Sequence, residues 1–325
     1  MKAVLCKQYG LPDSLVVEDI PALVPAPDQV IVSMKAAGVN FPDALIIQGK
    51  YQMKPTMPFS PGTELAGVVK KLGAGVQNVK VGDAVIAYAG YGGYAEEVAV
   101  DASACIPMPA GVEFKVAASF MMTYGTSYHA LKDRARLQPG ETLLVLGAAG
   151  GVGSAAVELG KHMGARVIAA ASSDDKLEAC RALGADATIN YSSEDLREAI
   201  KRITAGKGVD VVYDPVGDKF AEPAMRDMAW GGRYLVIGFA GGEIPKIPLN
   251  LPLLKGFSIV GVFWGNFTRK EPKQNEANVR ELLGWIAGGK LKPLVSVAYP
   301  LAQAARALKD VMERKVKGKV VLVTD

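Results

Sequence analysis

Residues 142–153 read TLLVLGAAGGVG, an apolar run that breaks into small residues and restarts as SAAVELGKHMG. Gly150 and Gly151 let the backbone approach a phosphate that a Cβ would hold off, and Gly153 lets a helix close onto the strand before it. The helix N-terminus then turns unpaired N–H groups and a positive dipole end toward the anion. The spacing is Ala148-x-Gly150-x-x-Gly153, with alanine where the first glycine of the usual pattern stands. A second apolar strand, ARVIAAAS, follows the helix. The pattern therefore predicts a dinucleotide pyrophosphate seated on the turn at Gly150 and Gly151, rather than an ordinary strand-turn-helix.

An acidic residue about 20 positions past such a turn normally takes the ribose 2′-OH. Here the tip of the second strand is Ala170-Ala171-Ser172-Ser173, and Lys176 follows Asp174 and Asp175. A hydroxyl and an ammonium, Ser172 and Lys176, suit a 2′-phosphate dianion, which predicts NADPH over NADH. The same stretch also reads as a helix start capped by Ser173, with the two aspartates complementing the dipole.

A catalytic zinc needs three protein ligands drawn from Cys, His and carboxylate. The chain has 2 histidines, His129 and His162, both in helix-like segments, and 3 scattered cysteines, Cys6, Cys105 and Cys180. These predict no metal site, and the histidines read as packed or surface helix residues. Hydride chemistry without a Lewis acid favours acceptors that are already activated, such as quinones and conjugated enones. A Ser-His-Asp hydrolase is disfavoured because no G-x-S-x-G occurs. Asn40 and Tyr51 bracket NFPDALIIQGKY and read either as substrate-facing groups or as turn and packing residues.

The elements that must hold these residues follow from pattern. Residues 1–120 carry short β-like runs (MKAVLC, QVIVSMKAAGV, ELAGVVKKLG, DAVIAYAG, AEEVAV) separated by Pro, Gly and Asp turns, which predicts a barrel-like all-β unit. Residues 121–261 alternate strands and helices, and their strands lack polar alternation, which predicts a doubly wound parallel sheet covered on both faces. After 262 come two helices and a last strand, KVVLVT, predicted to return to the first unit, so that the domains are 1–120 with 262–325, and 121–261. At 325 residues and 50% hydrophobic the chain is globular, and 37 basic against 33 acidic residues give no broad field for nucleic acid or an anionic membrane. The cysteines form no pairing framework, and the N-terminus lacks a signal-peptide core, so a cytoplasmic location is expected.

Several motifs in order, AAGVNFPD at 36–43, PGTELAGVV at 61–69, VGDAV at 81–85, GAAGGVG at 147–153, YDPVG at 213–217 and ERKVKGKVVL at 313–322, resemble the quinone oxidoreductase, or zeta-crystallin-like, branch of the medium-chain dehydrogenase/reductase superfamily. The resemblance runs over essentially the whole chain. It implies an α/β protein with a GroES-like β-barrel catalytic domain, formed by both ends of the chain, and a central Rossmann domain. It also implies a homodimer joined through the Rossmann sheet edges at SIVGVFW. In zinc-binding relatives a cysteine stands at the position of Asn40 and a histidine at that of Thr63. By position in the motifs, Asn40 resembles the asparagine beside the nicotinamide, Tyr51 the tyrosine lining the substrate pocket, and Thr126 the threonine on the carboxamide. Ala149, Gly150, Gly151 and Val152 resemble the family's pyrophosphate turn and Ser172 and Lys176 its 2′-phosphate contacts, while Tyr191 resembles the tyrosine near the adenosine and Arg314 the late arginine of the phosphate clamp, although Arg314 also suits a helix C-terminus. Backbone at Gly238, Phe239 and Ala240 and at Phe263, Trp264 and Gly265 is implied on the nicotinamide side. Two departures are Leu45, where many relatives carry tyrosine, and the aromatic Phe263-Trp264.

The expectation is an NADPH-dependent reductase passing hydride to a quinone or α,β-unsaturated carbonyl, with Asn40, Tyr51 and Thr126 as its catalytic set and a small molecule as its partner. An enoyl thioester reductase is the neighbouring alternative. A catalytically silent, nucleotide-dependent RNA-binding or crystallin-like protein is the alternative from another class.

Overall fold

The computed structural model describes residues 1–324. The chain divides into two units, Met1–Met122 with the segment from Lys292 onward, and Thr123–Leu291.

The central unit is built on a six-stranded sheet, in order Ala187–Asn190, Arg166–Ala171, Thr142–Leu146, Val209–Asp214, Met228–Val236 and Ser258–Gly261. Every neighbouring pair is parallel. A parallel sheet needs both faces covered, and the inner strands are accordingly apolar throughout, with Leu143 to Leu146 and Val167 to Ala170 fully buried. In chain order the strands run third, second, first, fourth, fifth, sixth, so the winding reverses between Thr142–Leu146 and Val209–Asp214. Crevices for ligands form at such a reversal, outside the carboxyl ends of the strands.

The other unit is a seven-stranded, mainly antiparallel sheet organised on one long strand, Gln29–Val39. That strand pairs with Glu64–Leu72, Glu97–Asp101 and Lys319–Val323. Its residues are buried almost without interruption because it has partners on both sides along its length. The register sets Val39 against Val320 and Ala37 against Leu65, which brings the chain positions 40, 64 and 319 to one end of the sheet.

The return to the outer unit falls at 292, not at 262. Residues 264–287 form the helices Trp264–Lys270 and Pro272–Ala287, and these are tied into the central unit. Phe267 stacks on the His129 ring at 3.8 Å, Asn278 donates to Asp133 at 2.8 Å, and the Tyr128 hydroxyl donates to Glu281 at 2.6 Å. Sequence patterning missed this because the contacts are polar and aromatic, whereas an apolar stripe is what periodicity detects. The helix after the glycine turn begins at Gly151, ahead of the expected Ser154. A strand at Val295–Pro300, paired in parallel with Lys319–Val323, was not legible either. No helix among the described residues is long and apolar enough to cross a membrane.

Candidate functional site

In the central unit the strand Thr142–Leu146 ends at Gly147, whose φ of 57° is a left-handed conformation suited to glycine. The helix Gly151–His162 starts with the bond from Ser154 N–H to Gly150 O, which leaves the amides of Gly151, Val152 and Gly153 without an intrahelical acceptor. A Cβ on Gly153 would lie 2.2 Å from Gly147 O and 2.8 Å from Ala148 Cα, so only glycine lets the helix sit this close to its strand. Three open N–H groups and a helix dipole end, at the point where the sheet reverses, have the chemistry to hold an anion such as a pyrophosphate.

Ser172 and Lys176 lie side by side: the Lys176 ammonium donates to Ser172 Oγ at 3.1 Å. Ser173 is the N-cap residue of Asp174–Ala182 but makes no side-chain cap bond. Tyr191 follows the neighbouring strand Ala187–Asn190, with its ring 4.4 Å from that of Phe220. Arg314 belongs to the other unit, where it is exposed and carries a left-handed φ of 56° after the helix Ala304–Met312.

The loops at the strand ends are held by one buried carboxylate. Asp214 Oδ1 accepts from the amides of Val216 and Gly217 at 2.7 and 2.8 Å, and Oδ2 accepts from the Tyr234 hydroxyl. Gly238 and Ala240 donate back to Asp214 O and Pro215 O, which fixes the Gly238–Phe239–Ala240 loop. Thr126 sits in a helical turn, Thr126–Tyr128, flanked by the wider π-helical turns Met121–Gly125 and His129–Arg134. Trp264 is buried with its indole against Gly125, where a Cβ would be 2.8 Å from the ring; Phe263, beside it, is 50% exposed. Gly265 follows in the first turn of the helix Trp264–Lys270. His129 is a packing residue, its Nδ1 2.8 Å from Asp133 Oδ2.

In the outer unit Asn40 ends the long strand and heads the helix Phe41–Ile46. Its side chain is buried among charges. Lys319 Nζ donates to Asn40 Oδ1 at 2.6 Å and to Glu64 Oε1 at 2.9 Å, while Asn40 Nδ2 donates to Glu64 Oε1 at 2.9 Å and to Thr63 Oγ1 at 3.2 Å. Glu64 Oε2 accepts from the Met122 amide at 2.9 Å. Gly38 makes the space: a Cβ there would lie 2.4 Å from Glu64 Oε1. Close by, Asp43 Oδ2 accepts from the Asn40 amide at 2.8 Å and the Tyr94 hydroxyl at 2.9 Å, and Oδ1 is buried without a partner. Burial, against those bonds and the Lys319 charge, pushes Asp43 up to about 6. Tyr51 packs half-buried at the edge of this core, and burial followed by the Asp43 charge raises its phenol. It is therefore a protonated donor at neutral pH.

Glu64, Lys319, Asp43 and Tyr94 were not singled out from sequence. Their only signal was a pair of opposite charges, Glu64 and Lys319, opening two apolar strands, and a pairing across 255 positions needs the sheet register to be seen.

A family model described as zinc-binding dehydrogenase matches residues 151–284, and one described as the alcohol dehydrogenase GroES-like domain matches residues 26–110. The chain is 39% identical to the quinone oxidoreductase-like protein 2 homolog of Nematostella vectensis, with 99% of this chain and 89% of that one covered. Among solved structures, a probable oxidoreductase from Mycobacterium abscessus superposes with a TM-score of 0.90 at 39% identity, covering 100% of this chain and 99% of that one. Escherichia coli quinone oxidoreductase complexed with NADPH superposes at 0.94 and 30% identity, covering 100% of each chain.

The residues here do not fit the metal in the first family's description. No group of three or more His, Cys, Asp and Glu comes together among the described residues. The Asn40 position offers an amide and a hydroxyl, and the Lys319 ammonium already lies against its carboxylate. Zinc binds amide and hydroxyl oxygens poorly, and a fixed cation beside it would repel it.

Asp43 gives a pH dependence whose sign is set by its raised value. An acid that holds its proton more tightly in the native state stabilises the fold below its unfolded pKa and loses that contribution as pH rises through about 6. Between pH 5 and 8, urea unfolding of the protein should lose on the order of 1 kcal/mol relative to Asp43→Asn. Parallel stability curves for the two proteins would show that Asp43 is ionised throughout.

Proposed function

The chain belongs to the quinone oxidoreductase family of the medium-chain dehydrogenase/reductase superfamily, and from that premise we propose that it is a zinc-free, NADPH-dependent reductase of quinones or α,β-unsaturated carbonyls. The observation that carries the reading is the open glycine turn at the reversal of the sheet, with the Ser172–Lys176 pair at the tip of the next strand. The NADPH complex of the E. coli neighbour supports it.

Bound NADPH supplies two electrons as hydride from nicotinamide C4; with a proton from solvent or protein, a quinone becomes the hydroquinone. The chain's part is binding, orientation and proton placement. Ala149, Gly150, Gly151 and Val152 hold the pyrophosphate, Ser172, Lys176, Tyr191 and Arg314 the phosphorylated adenosine, and Asn40 and Thr126 orient the nicotinamide. The loops Gly238–Phe239–Ala240 and Phe263–Trp264–Gly265 give that ring its wall. Tyr51, a phenol protonated at neutral pH whose burial raises it further, donates to the substrate oxygen. Three buried free cysteines, Cys6, Cys105 and Cys180, favour a reducing, cytoplasmic compartment.

A homodimer completes the reading. The strand Ser258–Gly261, which carries the exposed Ile259, is an edge of the six-stranded sheet, and Leu249, Leu253 and Leu254, a few residues before it in the chain, are exposed. An unpaired edge flanked by large apolar side chains favours a second copy of the same edge.

An NADPH-oxidation screen over quinones, 2-alkenals and enoyl thioesters, run beside NADH, tests the function; turnover confined to enoyl thioesters would move the enzyme to that class. Lys176→Ala should weaken NADPH by tenfold or more and leave NADH nearly unchanged, since one charge-assisted phosphate contact is worth about 1.5–3 kcal/mol; equal losses would remove Lys176 from the phosphate site. Tyr51→Phe should lower turnover by roughly 10²-fold, the scale of general-acid help, and a normal rate would assign the proton to water. Light scattering should give twice the chain mass, and Ile259→Glu should give one chain mass; a monomeric wild type would exclude the edge-paired dimer.

A further inference from the structure

We propose that Lys319 is a positioning residue, acting with Glu64 to lock the Asn40 amide in one orientation beside the nicotinamide. This rests on the reading just given for Asn40. An asparagine amide has two ends of similar shape and opposite hydrogen-bonding sense, so in a neutral pocket it flips at little cost. Here the two ends meet opposite charges. Oδ1 faces the Lys319 ammonium at 2.6 Å, and Nδ2 faces Glu64 Oε1 at 2.9 Å. A flipped amide would set N–H groups against the cation and a carbonyl oxygen against the carboxylate, and both contacts would turn from attractive to repulsive.

The lock has a second consequence. Both Nδ2 hydrogens are spent, one on Glu64 Oε1 and one on Thr63 Oγ1. Asn40 therefore holds no amide hydrogen for a cofactor, and what it offers the nicotinamide is a rigid planar face. The backbone joins the clamp: Lys319 Nζ also donates to Val39 O at 3.2 Å, and the Asn40 amide donates to Asp43. Lys319 is only 3% exposed and Glu64 is fully buried, so water cannot substitute for either partner. Such a clamp acts on alignment for hydride transfer and not on the hold of the pyrophosphate or 2′-phosphate.

Lys319→Met alone leaves the Glu64 carboxylate buried and uncompensated and is expected to fold poorly. The informative protein is Lys319→Met/Glu64→Gln, which removes both charges together. It should regain a melting temperature close to that of the wild type and bind NADPH with a KM within about twofold, yet lose tenfold or more in kcat. Its primary isotope effect with 4-deuterated NADPH should rise as hydride transfer becomes limiting. A double variant whose kcat returns with its stability would overturn the proposal and make the pair purely structural. In asparagine-labelled protein, the Asn40 side-chain N–H groups should exchange faster in the double variant than in the wild type, because a neutral glutamine at 64 and a methionine at 319 no longer hold the amide in one orientation. Equal protection in both would also overturn it. This second readout needs no turnover, so wild-type failure on every acceptor would sink the functional reading while the clamp is still judged by exchange.

Discussion

Gly153 has room for a hydrogen and nothing larger, because Gly147 O would meet its Cβ at 2.2 Å. The helix that begins at Gly151 consequently lies directly on the end of the first sheet strand, with its open amides at the one place where the winding of the sheet reverses. Everything proposed for the central unit depends on that close approach. Tilting the helix away would carry the amides of Gly151, Val152 and Gly153 off the strand end and break the bond from Ser127 Oγ to Val152 O, which ties the same turn to the helix bearing Thr126. A separate device, the Asp214 carboxylate, fixes the turn at Pro215–Gly217, its two oxygens taking three donors that offset the cost of burial, and the backbone oxygens of Asp214 and Pro215 in turn hold Gly238 and Ala240.

The outer unit depends on a different kind of constraint, a compensated buried charge. Removing one partner of a buried ion pair typically costs about 3–5 kcal/mol, because the other is left desolvated, whereas replacing both is often neutral. Lys319 and Glu64 fall under that rule, and the strands carrying them are consequently held in one register: slipping Lys319–Val323 by one residue against Gln29–Val39 would turn the ammonium to the opposite face. The pair thus specifies a register at a place where the apolar sequence KVVLV offers little to distinguish one alignment from the next.

How much of this the chain announced follows from whether the information was local. The turn GAAGGVG, the strand after it and the Ser172–Lys176 spacing all lie within about one strand-turn-helix unit, and each was readable from residue type and period. Asn40 and Tyr51 were visible only as candidates with two readings each; the motif resemblance, not spacing, separated them from ordinary turn residues. The Asn40–Glu64–Lys319 cluster was not visible at all, since its three members come from strands joined only by the sheet register, and opposite charges at strand starts are common on surfaces. The helices at 264–287 were recognised in part and assigned to the other unit because their anchoring groups, Trp264 on Gly125 and Asn278 on Asp133, carry no periodic signature.

The outer unit also bears on what kind of acceptor can be reduced. A zinc ion speeds carbonyl chemistry by drawing electron density from oxygen, and it needs vacant coordination and anionic or imidazole ligands to do so. At the Asn40 position the positive charge is instead covalently fixed as an ammonium, its donors are spent on Val39 O, Asn40 Oδ1 and Glu64 Oε1, and it has nothing left to coordinate a substrate oxygen. In the proposed reading electrophilic help comes from neutral donors such as the Tyr51 phenol, and a single neutral hydrogen bond stabilises a developing oxyanion less than a metal does. An unactivated aldehyde or ketone would gain too little from it. A quinone or an enone spreads the incoming charge over its own conjugated system, so the same modest donor suffices, and this is the physical reason for proposing conjugated acceptors.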